Sequence, residues 1–216
     1  WVNWPKIYKE ADLAKILSRS ESLREQVKFV LFSQSILRQQ WLDVAAYARK
    51  KGIYLCMDKP IYPVYGSAEV WANQHLFYLN KDGSLKYKSG CNNPRDPFGE
   101  QVWGHAVYQF KQKPDEVINY FAKSIGFIAE TSKMVRLDHS LALIWKYYLI
   151  DAKTKKGHYE KALKSKIFDF LIEKFPDVFF VAEDVGYSAP KIDRLLSKYE
   201  LPGMRSPQWT NRDRYT

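Results

Sequence analysis

The chain has 216 residues, 46% of them hydrophobic, enough for one domain with a real core. Its net charge is +10, yet the lysines are scattered, and the densest basic stretch, Lys153 to Lys166, reads as a solvated loop and helix face. That scatter argues against nucleic acid as a partner, and no run reaches the roughly 18 apolar residues of a membrane span.

Residues 1–22 form a polar entry of weak helical character. From Leu23 to Lys50, Val27, Val30, Leu31, Ile36, Leu37, Trp41, Val44, Ala45 and Ala48 recur at three- and four-residue spacing, which predicts a helix ended by Gly52. The run from Ile53 to Asp58 reads as a strand closing on an acid, and Pro60 and Pro63 then impose a loop. Residues 65–113 show little regular pattern and are rich in aromatics, Asn and Gly, as site-forming insertions are. Within them, NKDGS at 80–84 is a turn that permits a small hairpin from Leu76 to Tyr87. A helix is expected from Asp115 to Lys133, then the strand Met134 to His139, a mixed segment over 140–163 and a helix from Ser165 to Lys174. Val178 to Gly186 is a further strand, followed by a helix near Lys191 to Tyr199, and Leu201 to Trp209 begins another strand.

Three apolar runs that end on acids, separated by helices, predict an α/β fold with a parallel sheet. A (β/α) barrel and an open doubly wound sheet both fit that order. No Gly-rich phosphate loop follows a strand, which argues against a dinucleotide. Cys56 and Cys91 make no metal or redox spacing, so no cofactor, metal or disulfide is expected. Such cysteine usage points to a reducing compartment, the cytoplasm. No signal peptide is evident, and the opening WVNWP lacks an initiator Met, as if the chain began partway into a longer protein.

Asp138 and Glu183 end two successive strands, where parallel folds gather catalytic groups. Such a pair can face one sugar from both sides, as glycosidic bond chemistry requires. Arg136 lies two residues before Asp138 on the same strand face, where its charge would keep that carboxylate ionised. Glu183 follows the apolar FFVA, and partial burial would raise its pKa. The 16% aromatic content is consistent with sugar stacking as well as core packing.

Five segments carry a resemblance: GIYLCMDKPIYPVYGSAEVWAN from Gly52, EQVWGHAVY from Glu100, VRLDH from Val135, VAEDVG from Val181 and LPGMR from Leu201. In this order and spacing they resemble the 4-α-glucanotransferases, the amylomaltases of glycoside hydrolase family 77. The resemblance implies a (β/α)8 TIM barrel of which the chain covers a central part, as one domain over 1–216 with 65–113 as a substrate-site insertion. It implies retaining transfer of an α-1,4-glucan segment to an acceptor glucan or glucose, with maltooligosaccharides as partners. Asp138 matches the family nucleophile and Glu183 the general acid/base. Arg136, His139, Trp103, Asp58 and Tyr62 match substrate-site positions, and Trp71 and Asn73 stand near them. The oligomeric state is left open.

The departures are equally specific. Met57 replaces a Gly, Pro94 replaces an Asp with Asp96 close by, His105 and Ala106 replace Asn-Pro, and Ser140, Leu141 and Ala142 replace Phe-Arg-Gly. The family is also about twice as long, and its third acid would fall beyond Thr216. That truncation implies a segment inactive and poorly folded by itself. An inactive carbohydrate-binding segment and an α-glucan hydrolase are the competing readings.

Overall fold

The computed structural model describes residues 1–93, 99–184 and 190–204, with the side chains of 190–192 left aside. Three helices come first: α1 (Lys6–Lys9), α2 (Leu13–Leu17) and the 30-residue α3 (Glu21–Lys50). Ser20 caps α3 by accepting the Leu23 N–H at 3.2 Å, and Arg49 and Lys50 suit its C-terminal dipole. Gly52, at φ +72°, turns the chain out of it, as the sequence predicts.

Then follow β1 (Cys56–Lys59), α4 (Ala68–Ala72), a 3-10 turn (Gln74–Leu76), β2 (Tyr87–Asn92), β3 (Glu100–Ala106) and α5 (Pro114–Ala129). The chain continues through β4 (Met134–Leu137), α6 (Leu141–Ile144), β5 (Lys146–Asp151), β6 (Gly157–Lys161), α7 (Ser165–Lys174), β7 (Phe179–Ala182) and α8 (Pro190–Lys198).

The three acid-terminated runs form one parallel sheet in the order β1-β4-β7. Alternation along β4 turns Val135 and Leu137, both fully buried, to the helix layer. There they join Phe121 and Ile125 of α5, Ile167, Phe168 and Leu171 of α7, and Phe180 of β7 in one core. Each such side chain contributes about 1.5–3 kcal/mol. Met134 and Arg136 point to the opposite face, and register sets Asp58 beside Arg136.

Residues 65–113 are more regular than the sequence suggests. β2 and β3 join β5 and β6 in an antiparallel sheet of order β3-β2-β5-β6. Strand alternation is masked by Ser89 and Gly90 in β2 and by consecutive tyrosines in β5. Tyr147 and Tyr148, successive in β5, are both buried, Tyr147 in the core and Tyr148 among Tyr159, Asn92 and Glu100. Gly90 is required in β2, since a Cβ there would lie 2.2 Å from the Gln101 carbonyl oxygen. The NKDGS turn is present, with Leu79 bridging Leu85. The Gly203 bridge to Ala182 starts the strand expected from Leu201, and its continuation past Met204 lies outside the described residues.

α3 stands apart from this core. Of its residues only Ala45 and Ala48 are buried, while Phe29, Leu31, Phe32, Ile36 and Leu37 are exposed. Among the described residues, β1 and β7 each keep an outer edge, that of β7 meeting only the Gly203 bridge. The isolated chain is therefore expected to unfold in urea without one cooperative transition, and amides in the first half of α3 should exchange before those of α5. A single transition of normal m-value, with α3 protected as well as α5, would contradict this.

Candidate active site

The carboxyl ends of β1, β4 and β7 open into a cleft of about 720 Å³. Arg136, Asp138, His139, Glu183 and Trp103 line it, together with Lys59, Tyr62, Glu69 and His105. The parallel ladder runs past the strand ends: the Asp138 N–H donates to the Lys59 carbonyl, and the Glu183 N–H to the Leu137 carbonyl, both at 3.1 Å. Backbone bonds thus set the two acids side by side.

Arg136 is the hub. Its Nη1 pairs with Asp58, and its Nη2 lies 3.1 Å from Asp138 Oδ1 and 3.2 Å from Glu183 Oε2. Its Nε is 3.1 Å from the Met204 sulfur. Desolvation works against the guanidinium charge, but Asp58, Glu183 and Asp138 outweigh it and raise the pKa. One nitrogen touching both acids keeps those two oxygens within about 6 Å of each other, so both carboxylates can face one bound sugar.

Glu183 is held at three points. The His139 N–H donates to its carboxylate at 2.7 Å, and Ser140 donates to its carbonyl through both N–H (3.2 Å) and Oγ (2.8 Å). Burial raises the Glu183 pKa, the His139 N–H opposes that shift, and the Asp138 charge reinforces it. This is the direction expected from the apolar strand before it. His139 reaches its partner from φ +43°, a left-handed conformation uncommon for a non-glycine residue.

Trp103 meets the His139 ring edge-on at 4.9 Å, and its indole N–H donates to Gln101 Oε1 at 2.9 Å. Tyr62 lies in the wall, but its hydroxyl is buried without a hydrogen-bond partner among the described residues, so it offers the cleft ring carbon. Trp71 and Asn73 are not in the cleft lining. Trp71 donates to the Tyr8 carbonyl at 2.6 Å, and Asn73 donates to Glu69 O and Tyr120 Oη. Asp184 is buried and accepts the Met204 N–H at 2.9 Å, a structural role. Pro94 and Asp96 lie outside the described residues.

Sequence reasoning passed over Glu69 as a cleft residue. It accepts from Tyr108 Oη at 3.1 Å and projects from α4, which Ser67 caps. The acid two residues after a capping Ser was the available signal. No cluster of three or more His, Cys, Asp or Glu among the described residues has metal-site geometry.

A family model described as 4-alpha-glucanotransferase matches residues 1–216. The chain belongs to this family. It is 29% identical to the 4-alpha-glucanotransferase of Aquifex aeolicus over 209 residues, 95% of this chain and 43% of that protein. The Thermus thermophilus 4-alpha-glucanotransferase is also 29% identical, over 97% of this chain and 42% of its own. Among solved structures, the amylomaltase of Streptococcus agalactiae in complex with acarbose superposes with a TM-score of 0.84 at 26% identity, covering 94% of this chain and 42% of that one. Corynebacterium glutamicum amylomaltase, at 16% identity and a TM-score of 0.72, shares the fold. This glucanotransferase-family chain thus spans less than half the length of these relatives. Its α/β fold matches part of the amylomaltase fold.

One titration tests the site's packing. Desolvation lowers the His139 pKa to about 4, against an opposing pull from Asp138. The unfolded chain, with an ordinary His near pH 6.5, then binds more protons between about pH 4 and 6.5. Stability should fall as pH drops through that window, by no more than about 3 kcal/mol from this group, and stay flat above it. In the complete protein, His139→Gln should remove that share. Equal acid sensitivity of wild type and variant in urea titrations at pH 7 and pH 4.5 would refute the assignment.

Proposed function

We propose that this chain is the central part of a 4-α-glucanotransferase that moves a segment of an α-1,4-glucan to an acceptor glucan or glucose with retention. The observation that carries the proposal is the Arg136 clamp, which sets Asp138 and Glu183 side by side against one cleft, as a double displacement needs. Asp138, paired with Arg136, attacks the anomeric carbon and forms the glycosyl-enzyme. Glu183, whose raised pKa favours the protonated form, gives its proton to the leaving oxygen. It then takes a proton from the acceptor hydroxyl.

Trp103 and Tyr62 offer apolar ring surface to the sugar's C–H faces. Asp58 holds the far arm of Arg136, and His139, kept neutral by burial, can donate or accept at sugar hydroxyls. The partners are maltooligosaccharides and related α-glucans, in keeping with the acarbose bound by the streptococcal amylomaltase. The relatives' extra length leads us to propose that further strands complete the barrel and supply a third acid. Among the described residues no helix is long and apolar enough to cross a membrane. From the sparse cysteine usage of the sequence we propose a cytoplasmic setting.

Maltotriose incubated with the complete protein should yield glucose and a ladder of longer maltooligosaccharides. Asp138→Asn should lower the rate on the order of 10⁴-fold. Activity should fall as pH rises through the Glu183 pKa, with that limb above the ordinary glutamate value of 4.5. Release of glucose and maltose without longer products would favour hydrolysis, and an Asp138→Asn variant as active as wild type would remove the nucleophile assignment.

A further inference from the structure

β2 and β3 fall out of register beside the cleft. Gly90 faces Val102, whereas Lys88 faces Ala106. Trp103, Gly104 and His105 therefore lie opposite the single residue Ser89, which makes a bulge. Gly104 takes φ +78°, a conformation glycine adopts without a Cβ clash. The bulge interrupts the ladder, and fully buried Ser89 compensates by accepting the His105 N–H on its Oγ at 3.0 Å. As a result both Trp103 and His105 face Arg136, Asp138 and Glu183 across the cleft.

The two rings differ in freedom. Trp103 is fixed by Gln101 and by the edge of His139. The imidazole of half-buried His105 has no hydrogen-bond or ionic partner among the described residues. A neutral imidazole carries one donor and one acceptor, and a half-buried polar group gains from a partner that meets them. The position is also one where this chain departs from its family's W-G-N-P motif. A ring reaches farther than an Asn amide and fixes its two nitrogens in a plane.

We propose that His105, presented by the Ser89-pinned bulge, hydrogen-bonds a hydroxyl of the glucose unit in the cleft and sets this protein's glucan preference. The proposal rests on the glucanotransferase reading. His105 then acts in binding, and its loss raises KM with little change in kcat.

The test uses the complete protein with ring-¹³C-labelled histidine, with the signals of this chain's four histidines assigned and followed by NMR as maltotriose is added. His75 and His158 lie beside Glu116 and Glu160, away from the cleft lining, and serve as internal references. Signals of His105 and His139 should move together and saturate, while the references stay still. In kinetics, His105→Ala and His105→Phe should each raise KM for maltotriose roughly three- to tenfold, and His105→Asn should recover most of the loss. Movement of His139 with His105 silent overturns the proposal and leaves the glucanotransferase reading intact. So does a His105→Phe variant with wild-type KM, since packing alone would then explain the ring. Silence of both signals overturns the glucan reading and the His105 proposal together. The titration needs no variant, so a variant that fails to fold does not block the decision.

Discussion

Three carboxylates meet at one end of a small parallel sheet, and the charge of Arg136 is what allows them to. Asp58, Asp138 and Glu183 come from three different strands. Without a cation between them their repulsion would push strand ends apart or force protons onto the acids. The guanidinium is suited to this because its planar fork offers several donors in fixed directions, which a lysine does not. Burial, which the clamp opposes at Glu183, sets the two acids at the cleft apart. Glu183 is more buried and is drawn toward its protonated form, while Asp138 sits nearer solvent beside the same nitrogen. Two chemically similar groups thereby sit in different surroundings.

The antiparallel sheet supplies what the parallel sheet lacks, a wall. The strand ends of a parallel sheet give catalytic groups but little surface to hold a flat sugar. β3 crosses in front of them, and its bulge turns Trp103 and His105 into the cleft. The contact between Trp103 and His139 ties the two sheets together at the site. Behind this wall lies a dense aromatic layer in which Phe77, Tyr108 and Phe110 pack ring to ring under Tyr62. Much of the aromatic content therefore serves the foundation of the cleft rather than its surface.

The parallel sheet and its acids were legible because each strand is an apolar run with an abrupt polar end, and because the helices between them carry clear periodicity. Arg136 beside Asp138 followed from i, i+2 spacing alone. The antiparallel sheet was not legible in 65–113, since β2 contains Gly90 and Ser89 and β5 buries consecutive tyrosines, so neither shows clean alternation. The β5–β6 hairpin hid in a mixed segment for the same reason. The interplay at Glu183 was also hidden. That Ser140 and His139 would hold it through backbone groups depends on the left-handed turn at His139, which no residue type announces.

The hydrogen bonds of Arg136 span sequence separations of 78 residues to Asp58 and 47 to Glu183. Contacts of that range form only after the intervening loops have closed, and loop closure delays them relative to local structure. The reactive pair is therefore assembled among the last features of the fold. A chain still finding its shape, or one opened by stress, holds its acids apart. Assembly of the acid pair and completion of the fold become a single event, and the clamp serves as its own quality control.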